Sequence, residues 1–133
     1  MTVVWALLGV IAVALGGALG ALGRWGLAQL AEKHARPTST VSIPWATFAA
    51  NMIACFVIGL VTTWFASATG DLQKVVHLFL ATGITGALST MSSVALELTS
   101  LTRRGAVVIG LGYLLLTLGG GMVMLWFGVL IAA

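Results

Sequence analysis

Polar side chains are scarce in this chain, and the few that interrupt its apolar runs are the ones that could do chemistry. Residues 82–93 read Thr-Gly-Ile-Thr-Gly-Ala-Leu-Ser-Thr-Met-Ser-Ser, and eight of these twelve are Gly, Ser or Thr. Hydroxyls cap freed amides and carbonyls, so such a stretch can unwind inside a membrane where it is buried or lines a polar cavity. The alternative is a small-residue helix interface whose hydroxyls bond back to their own helix. Asn51 offers both donors and acceptors. It either joins two helices or, beside a break in a neighbour, serves an ion pathway. Tyr113 and Thr117 are four apart and share a helix face, but the same line continues into Gly121 and Leu125, so the hydroxyl stripe stops halfway. Arg24 either snorkels to headgroups or faces an anion at a pore mouth. Glu97, the only acid inside an apolar run, reaches water or pairs with Arg103 or Arg104.

Other chemistries lack their residues. The single cysteine, Cys55, excludes an internal disulfide and a cysteine metal site. His34 and His77 have no carboxylate at ligand spacing. No phosphate-binding loop, HExxH or GxSxG is present, so the chain is not expected to be an enzyme. Six Lys+Arg against three Asp+Glu is too thin for a nucleic-acid surface.

The elements that must position these residues are membrane helices. Of 133 residues 60% are hydrophobic and 7% charged, with a mean hydropathy of +1.14. A core this small cannot hide so much apolar surface, and a span takes roughly 20 residues. The gaps between charges predict an all-α domain of four transmembrane helices, at about 3–25, 44–66, 75–99 and 105–130. The first is read as a retained helix and not a cleaved signal. Its Gly16/Gly20 and Gly17/Ala21 pairs suit close packing, and Pro44 suits the start of the second. Arg24, Lys33, Arg36, Arg103 and Arg104 fall on one side and only Lys74 on the other. The positive-inside rule then puts the first and third loops in the cytoplasm and both termini outside.

Taken together these pieces resemble the CrcB/Fluc family of fluoride channels. Gly16-Gly17-Ala18-Leu19-Gly20-Ala21-Leu22-Gly23-Arg24-Trp25 is similar to that family's GGxxGAxxR[YW] signature. Thr47, Asn51, Phe56 and Gly59 resemble its second-helix pattern. Gly83, Gly86, Thr90, Ser92 and Glu97 resemble GxxGxxTTFSTFxxE, and Tyr113 and Thr117 resemble the start of its fourth-helix polar line. The resemblance implies a third helix broken near the midplane and an antiparallel dimer with two narrow pores in the plasma membrane, passing fluoride passively. It implies Asn51 as amide donor, Ser93, Tyr113 and Thr117 as hydroxyl contacts, and Arg24 as the charge of a vestibule. It also implies a structural sodium ion at the dimer centre, held by the backbone carbonyls of Gly86 and Ser89.

The departures are equally specific. The family's two third-helix phenylalanines, whose ring edges face the anion, are Met91 and Val94 here, and these are placed in the fluoride pathway by position. Ser89 replaces the first Thr of the TT pair. The strong charge bias fixes one orientation, whereas an antiparallel homodimer needs both. The expectation is therefore a heterodimer with an oppositely oriented paralogous chain, otherwise a homodimer. Two rivals are a non-conducting assembly subunit and a small multidrug-resistance-type exporter. The latter needs a carboxylate in the first helix, and residues 1–23 have none.

Overall fold

The computed structural model describes residues 3–34 and 43–133; Arg36 and Pro37 of the first loop lie outside the described residues. Every regular element is helical: α1 (Val3–His34), α2 (Trp45–Trp64), α3 (Asp71–His77), a π-helix π1 (Leu78–Thr85), α4 (Gly86–Leu88), α5 (Met91–Arg103) and α6 (Val107–Ala132). Four spans are long and apolar enough to cross a membrane: α1, α2, the composite Asp71–Arg103 and α6.

The first span differs from its expected extent. The charged residues from Arg24 predict an end near residue 25, yet α1 runs for 32 residues to His34, about 48 Å at 1.5 Å per residue. The residues after Arg24 are mostly Ala, Leu, Gln, Glu and Lys, which favour helix wherever they stand. Lys33 and His34 complement the negative end of the helix, and His34 Nδ1 donates to the Leu30 carbonyl at 2.8 Å. Leu27, beyond the expected end, packs on a core cluster of Ala50, Ala54 and Leu88.

The third span, expected at 75–99, occupies Asp71–Arg103 in pieces. It begins with one α-helical turn pair, widens into π1, returns briefly to α4, and then breaks. Ser89 (φ −72°, ψ 153°) and Thr90 (φ −154°, ψ 118°) are extended, and α5 restarts at Met91. The Thr85 hydroxyl donates to the Leu80 carbonyl five residues back, at 2.9 Å, within the wider π turn.

Two backbone seams fix the bundle. α1 lies along π1 and α4, while α2 lies along α6. A methyl group on Gly16 would overlap the Phe79 carbonyl oxygen and stand 3.0 Å from Gly83 Cα; one on Gly20 would overlap the Ile84 carbonyl. Gly59 and Gly128 face each other across α2 and α6, where a Cβ on either meets the other helix's backbone. Small residues here let backbones touch, the main source of helix association where lipid removes the hydrophobic drive. At the end of α5, Gly105 takes φ +74°. The Ala106 amide then reaches the Leu101 carbonyl at 2.9 Å and the Gly105 amide the Thr102 carbonyl at 3.0 Å, a Schellman closure that turns the chain into α6. Leucines, valines and tryptophans cover the outside of α1 and α6.

Candidate functional site

The break in the third span is held by a side chain from another helix. Asn51, two turns into α2 and only 9% exposed, faces Thr90. Its Oδ1 accepts from the Thr90 amide at 2.8 Å, and its Nδ2 donates to the Thr90 carbonyl at 3.3 Å. One amide side chain therefore pairs with both peptide groups of an extended residue, as a neighbouring strand would. Without that partner, two backbone groups would be left unpaired away from water. Thr90 is also the N-cap of α5: its hydroxyl accepts from the Ser93 amide at 3.2 Å. The hydroxyls of Ser92 and Ser93 lie 3.1 Å from it. Asn51, Thr90, Ser92 and Ser93 thus form one polar cluster at the start of a helix, where amides point toward an open end and the field favours an anion.

A second polar group lies one turn along α2. Thr47 donates to Glu97 Oε1 at 2.5 Å, and Tyr113 donates to Glu97 Oε2 at 2.7 Å. Glu97, expected to reach water or to pair with Arg103 or Arg104, is half-exposed and on each of its oxygens takes a hydroxyl from a neighbouring span. Tyr113 is 2% exposed. Thr117 is also buried and returns its proton to the Tyr113 carbonyl at 2.8 Å. Thr47 and Asn51 share a face of α2, as Tyr113 and Thr117 share one of α6. The two lines run side by side in the α2–α6 seam.

Arg24 is not in a loop. A Cβ on Gly23 would lie 3.6 Å from the Leu88 side chain, and Leu27 packs on Leu88, Ala50 and Ala54. Arg24, between them, is level with the break. It is half-buried, one turn after Gly20 on the same side of α1. Met91 and Val94 part company: Met91 is 65% exposed on the outside of the subunit, whereas Val94 is 1% exposed inside it. Gly86 is exposed and Ser89 half-exposed. Thr47 and Thr90 join the site beyond the residues expected for it. Their signal in the sequence is the resemblance to the family patterns, together with the four-residue spacing of Thr47 and Asn51; by type alone Thr90 does not differ from its Ser and Thr neighbours. No group of three or more His, Cys, Asp or Glu able to hold a metal occurs among the described residues.

Comparison with known proteins settles the kind of molecule in which this arrangement occurs. A family profile described as CrcB-like protein, Camphor Resistance (CrcB), matches residues 11–129. The chain belongs to the CrcB family. Among curated CrcB relatives, a protein of Salinibacter ruber named fluoride-specific ion channel FluC is 40% identical over 116 residues, 87% of this chain and 83% of that relative. A protein of the same name from Xanthomonas oryzae pv. oryzae is 37% identical over 121 residues, 91% of this chain and 85% of its own. One from Desulfotalea psychrophila is 36% identical over 125 residues, 94% and 92% respectively. With four spans and this membership, the chain is a multi-pass membrane protein of the CrcB family, and both polar clusters lie within the matched region.

Proposed function

We propose that the chain is a subunit of a passive, fluoride-selective channel that lowers cytoplasmic fluoride by export across the plasma membrane. The observation that carries this reading is the polar cluster of Asn51, Thr90 and Ser93 at an interrupted helix within the third span, in a chain whose relatives bear the name fluoride-specific ion channel. A small, strongly hydrated anion gives up its water only for fixed donors set close together. The Asn51 amide, the Ser93 hydroxyl and the open start of α5 supply such donors. Arg24, level with them, supplies positive charge. Tyr113 and Thr117 continue the polar line toward Glu97, but their protons lie on the Glu97 carboxylate and the Tyr113 carbonyl, so each hydroxyl must rotate off that partner to donate to an anion.

The working assembly is an antiparallel dimer in which a second chain faces Met91. In this subunit Met91 points outward and offers a thioether where the family has a ring edge. Val94, being interior, meets an ion only from within the subunit. With Arg24 inside the span, loop charge is Lys33, Arg36, Arg103 and Arg104 against Lys74, four to one. That bias favours cytoplasmic first and third loops with both termini outside, and hence a partner of opposite orientation: a paralogous chain before a second copy.

The carbonyls proposed for the structural sodium suit it. In a continuous helix the Gly86 oxygen would accept from the Thr90 amide, but that amide goes to Asn51. The Ser89 oxygen would accept from the Ser93 amide, but that one goes to the Thr90 hydroxyl. Both oxygens are thus robbed of their helical donors, and Gly86 keeps only a 3.5 Å contact from the Ser89 hydroxyl. Unwound backbone carbonyls are hard ligands suited to Na⁺, and a bound ion would supply the positive charge that the Gly86 and Ser89 oxygens lack from amide donors.

The test is fluoride efflux from liposomes read with a fluoride electrode, with this chain reconstituted alone and with an oppositely oriented relative. Efflux from the mixture only supports the heterodimer. Efflux from the chain alone retires the topology argument and keeps the channel. Silence in both favours the non-conducting assembly subunit.

A further inference from the structure

Counting protons at the break separates the residues that can meet an anion from the one that cannot. The Thr90 hydroxyl has a single proton, and it goes to Ser93 Oγ at 3.1 Å. The 3.1 Å contact between Thr90 Oγ1 and Ser92 Oγ must then have Ser92 as donor. Thr90 Oγ1 has two lone pairs: one takes the Ser92 proton, the other the Ser93 amide at 3.2 Å. Its peptide N–H and C=O are both on Asn51. Thr90 is 7% exposed and has nothing left to give.

Its neighbours do. Ser93 accepts from Thr90, and its own hydroxyl proton has no acceptor among the described residues. Asn51 Nδ2 carries two protons; one is on the Thr90 carbonyl, and the other has no acceptor among the described residues. Two donors are therefore left over, and both hang from Thr90. The hydroxyl chain also runs one way, from Ser92 through Thr90 to Ser93, so each bond polarises the next and the last proton is the most acidic.

We infer that Thr90 is the positioning residue of a small-anion site whose donors are the Ser93 hydroxyl and the second N–H of Asn51, Ser92 polarising the chain from behind. This rests on the channel reading for the identity of the anion, and on the hydrogen bonds alone for the division of roles. Thr90 touches no ion. It sets the distance and direction of the two groups that do.

The discriminating pair is Thr90→Val, which keeps the shape and loses the hydroxyl, and Thr90→Ser, which keeps the hydroxyl. Both are made in the full chain, reconstituted in whichever assembly conducts, with assembly size checked by gel filtration. Amide hydrogen exchange at Ser93 is read in parallel, since it needs no conduction. Thr90→Val is expected to lower fluoride efflux by about tenfold or more, one hydrogen bond's worth at least, and to speed exchange of the Ser93 amide. Thr90→Ser is expected to hold both near the native values. Efflux of Thr90→Val within about twofold of the native chain, or Thr90→Ser falling as far as Thr90→Val, overturns the inference. Silence of the native assembly overturns the channel reading instead; exchange then decides the positioning role, and an unchanged Ser93 amide in Thr90→Val overturns it.

Discussion

The seam between α1 and π1 makes a sharp prediction, because two adjacent glycines of α1 stand in opposite circumstances. A Cβ on Gly16 would overlap the Phe79 carbonyl and crowd Gly83 Cα at 3.0 Å and the Ile84 amide at 3.1 Å, whereas a Cβ on Gly17 meets nothing within 4 Å. Every atom crowding Gly16 is backbone, so no side chain can swing aside; π1 must move as a body. Overpacking of this kind costs about 1–3 kcal/mol. Alanine holds roughly 0.5–1 kcal/mol over glycine within a helix at either position, so Gly17→Ala should gain slightly and this gain cancels between the two variants. They should therefore differ by the overpacking cost alone, roughly 1–3 kcal/mol, about fivefold to 150-fold in the folded-to-unfolded ratio. The assay is reversible unfolding of the purified subunit in mixed micelles of rising dodecyl sulfate content, followed by tryptophan fluorescence. Gly20→Ala should behave like Gly16→Ala, since it meets the Ile84 carbonyl, and Gly26→Ala like Gly17→Ala. If Gly16→Ala and Gly17→Ala unfold together, the seam is not a backbone contact and the packing argument for π1 fails.

Glu97→Gln should leave either Thr47 or Tyr113 facing an amide N–H₂ in place of an acceptor, at about 1–3 kcal/mol. Fluoride efflux is expected to fall about tenfold, and Glu97→Gln/Tyr113→Phe to fall by less than the sum of the single losses, because Glu97 and Tyr113 share the 2.7 Å contact; fully additive losses would separate the two residues. Met91→Phe places a ring edge on a position that is 65% exposed within the subunit. It should leave subunit unfolding unchanged and raise efflux of the assembly, and a fall in efflux would mean that Met91 fits a partner surface already shaped to a thioether.

Four spans, the weak point of the third and the importance of Asn51 were all legible in the sequence, because each is a property of local composition. A charge-free run of 20 residues reads as a span, and eight small or hydroxylated residues in twelve mark a place where a membrane helix either opens or packs closely; the extended Ser89 and Thr90 decide for opening. What the sequence could not locate was the residue that opens. That is decided by Asn51, 39 positions away, which pairs with Thr90 and no other residue of the stretch. The π-helix was equally hidden. Leu78 to Thr85 reads as an ordinary apolar helix, and its widening goes with the close approach of Gly16 and Gly20 to Phe79, Gly83 and Ile84. Arg24 misled for a physical reason. A charge usually marks the edge of a span, but here the helix continues past it, and packing of Leu27 against Ala50, Ala54 and Leu88 holds the arginine level with the break. Glu97 was visible as an oddity, but its partners come from two other spans.

The halted polar line of α6 also has its explanation in packing. Tyr113 and Thr117 face the turn of α2 that carries Thr47 and Asn51. From the next residue to one turn further, α2 presents Met52 and Cys55, and a Cβ on Gly120 would lie 3.0 Å from Met52 Sδ, one on Gly121 3.1 Å from Cys55 Sγ. The sulfurs occupy the volume that a third hydroxyl on α6 would need. Beyond them the helices close to backbone contact at Gly59 and Gly128, so the seam has no room to widen. If the chain conducts fluoride as proposed, an anion passing Thr117 meets no further hydroxyl on α6 within this subunit, and the open side at the break is that of Ser93 and the exposed Met91. The missing hydroxyl at position 121 and the outward-facing residue at position 91 would then be two sides of one arrangement, with the half of the path beyond the break supplied by the chain proposed to cover Met91.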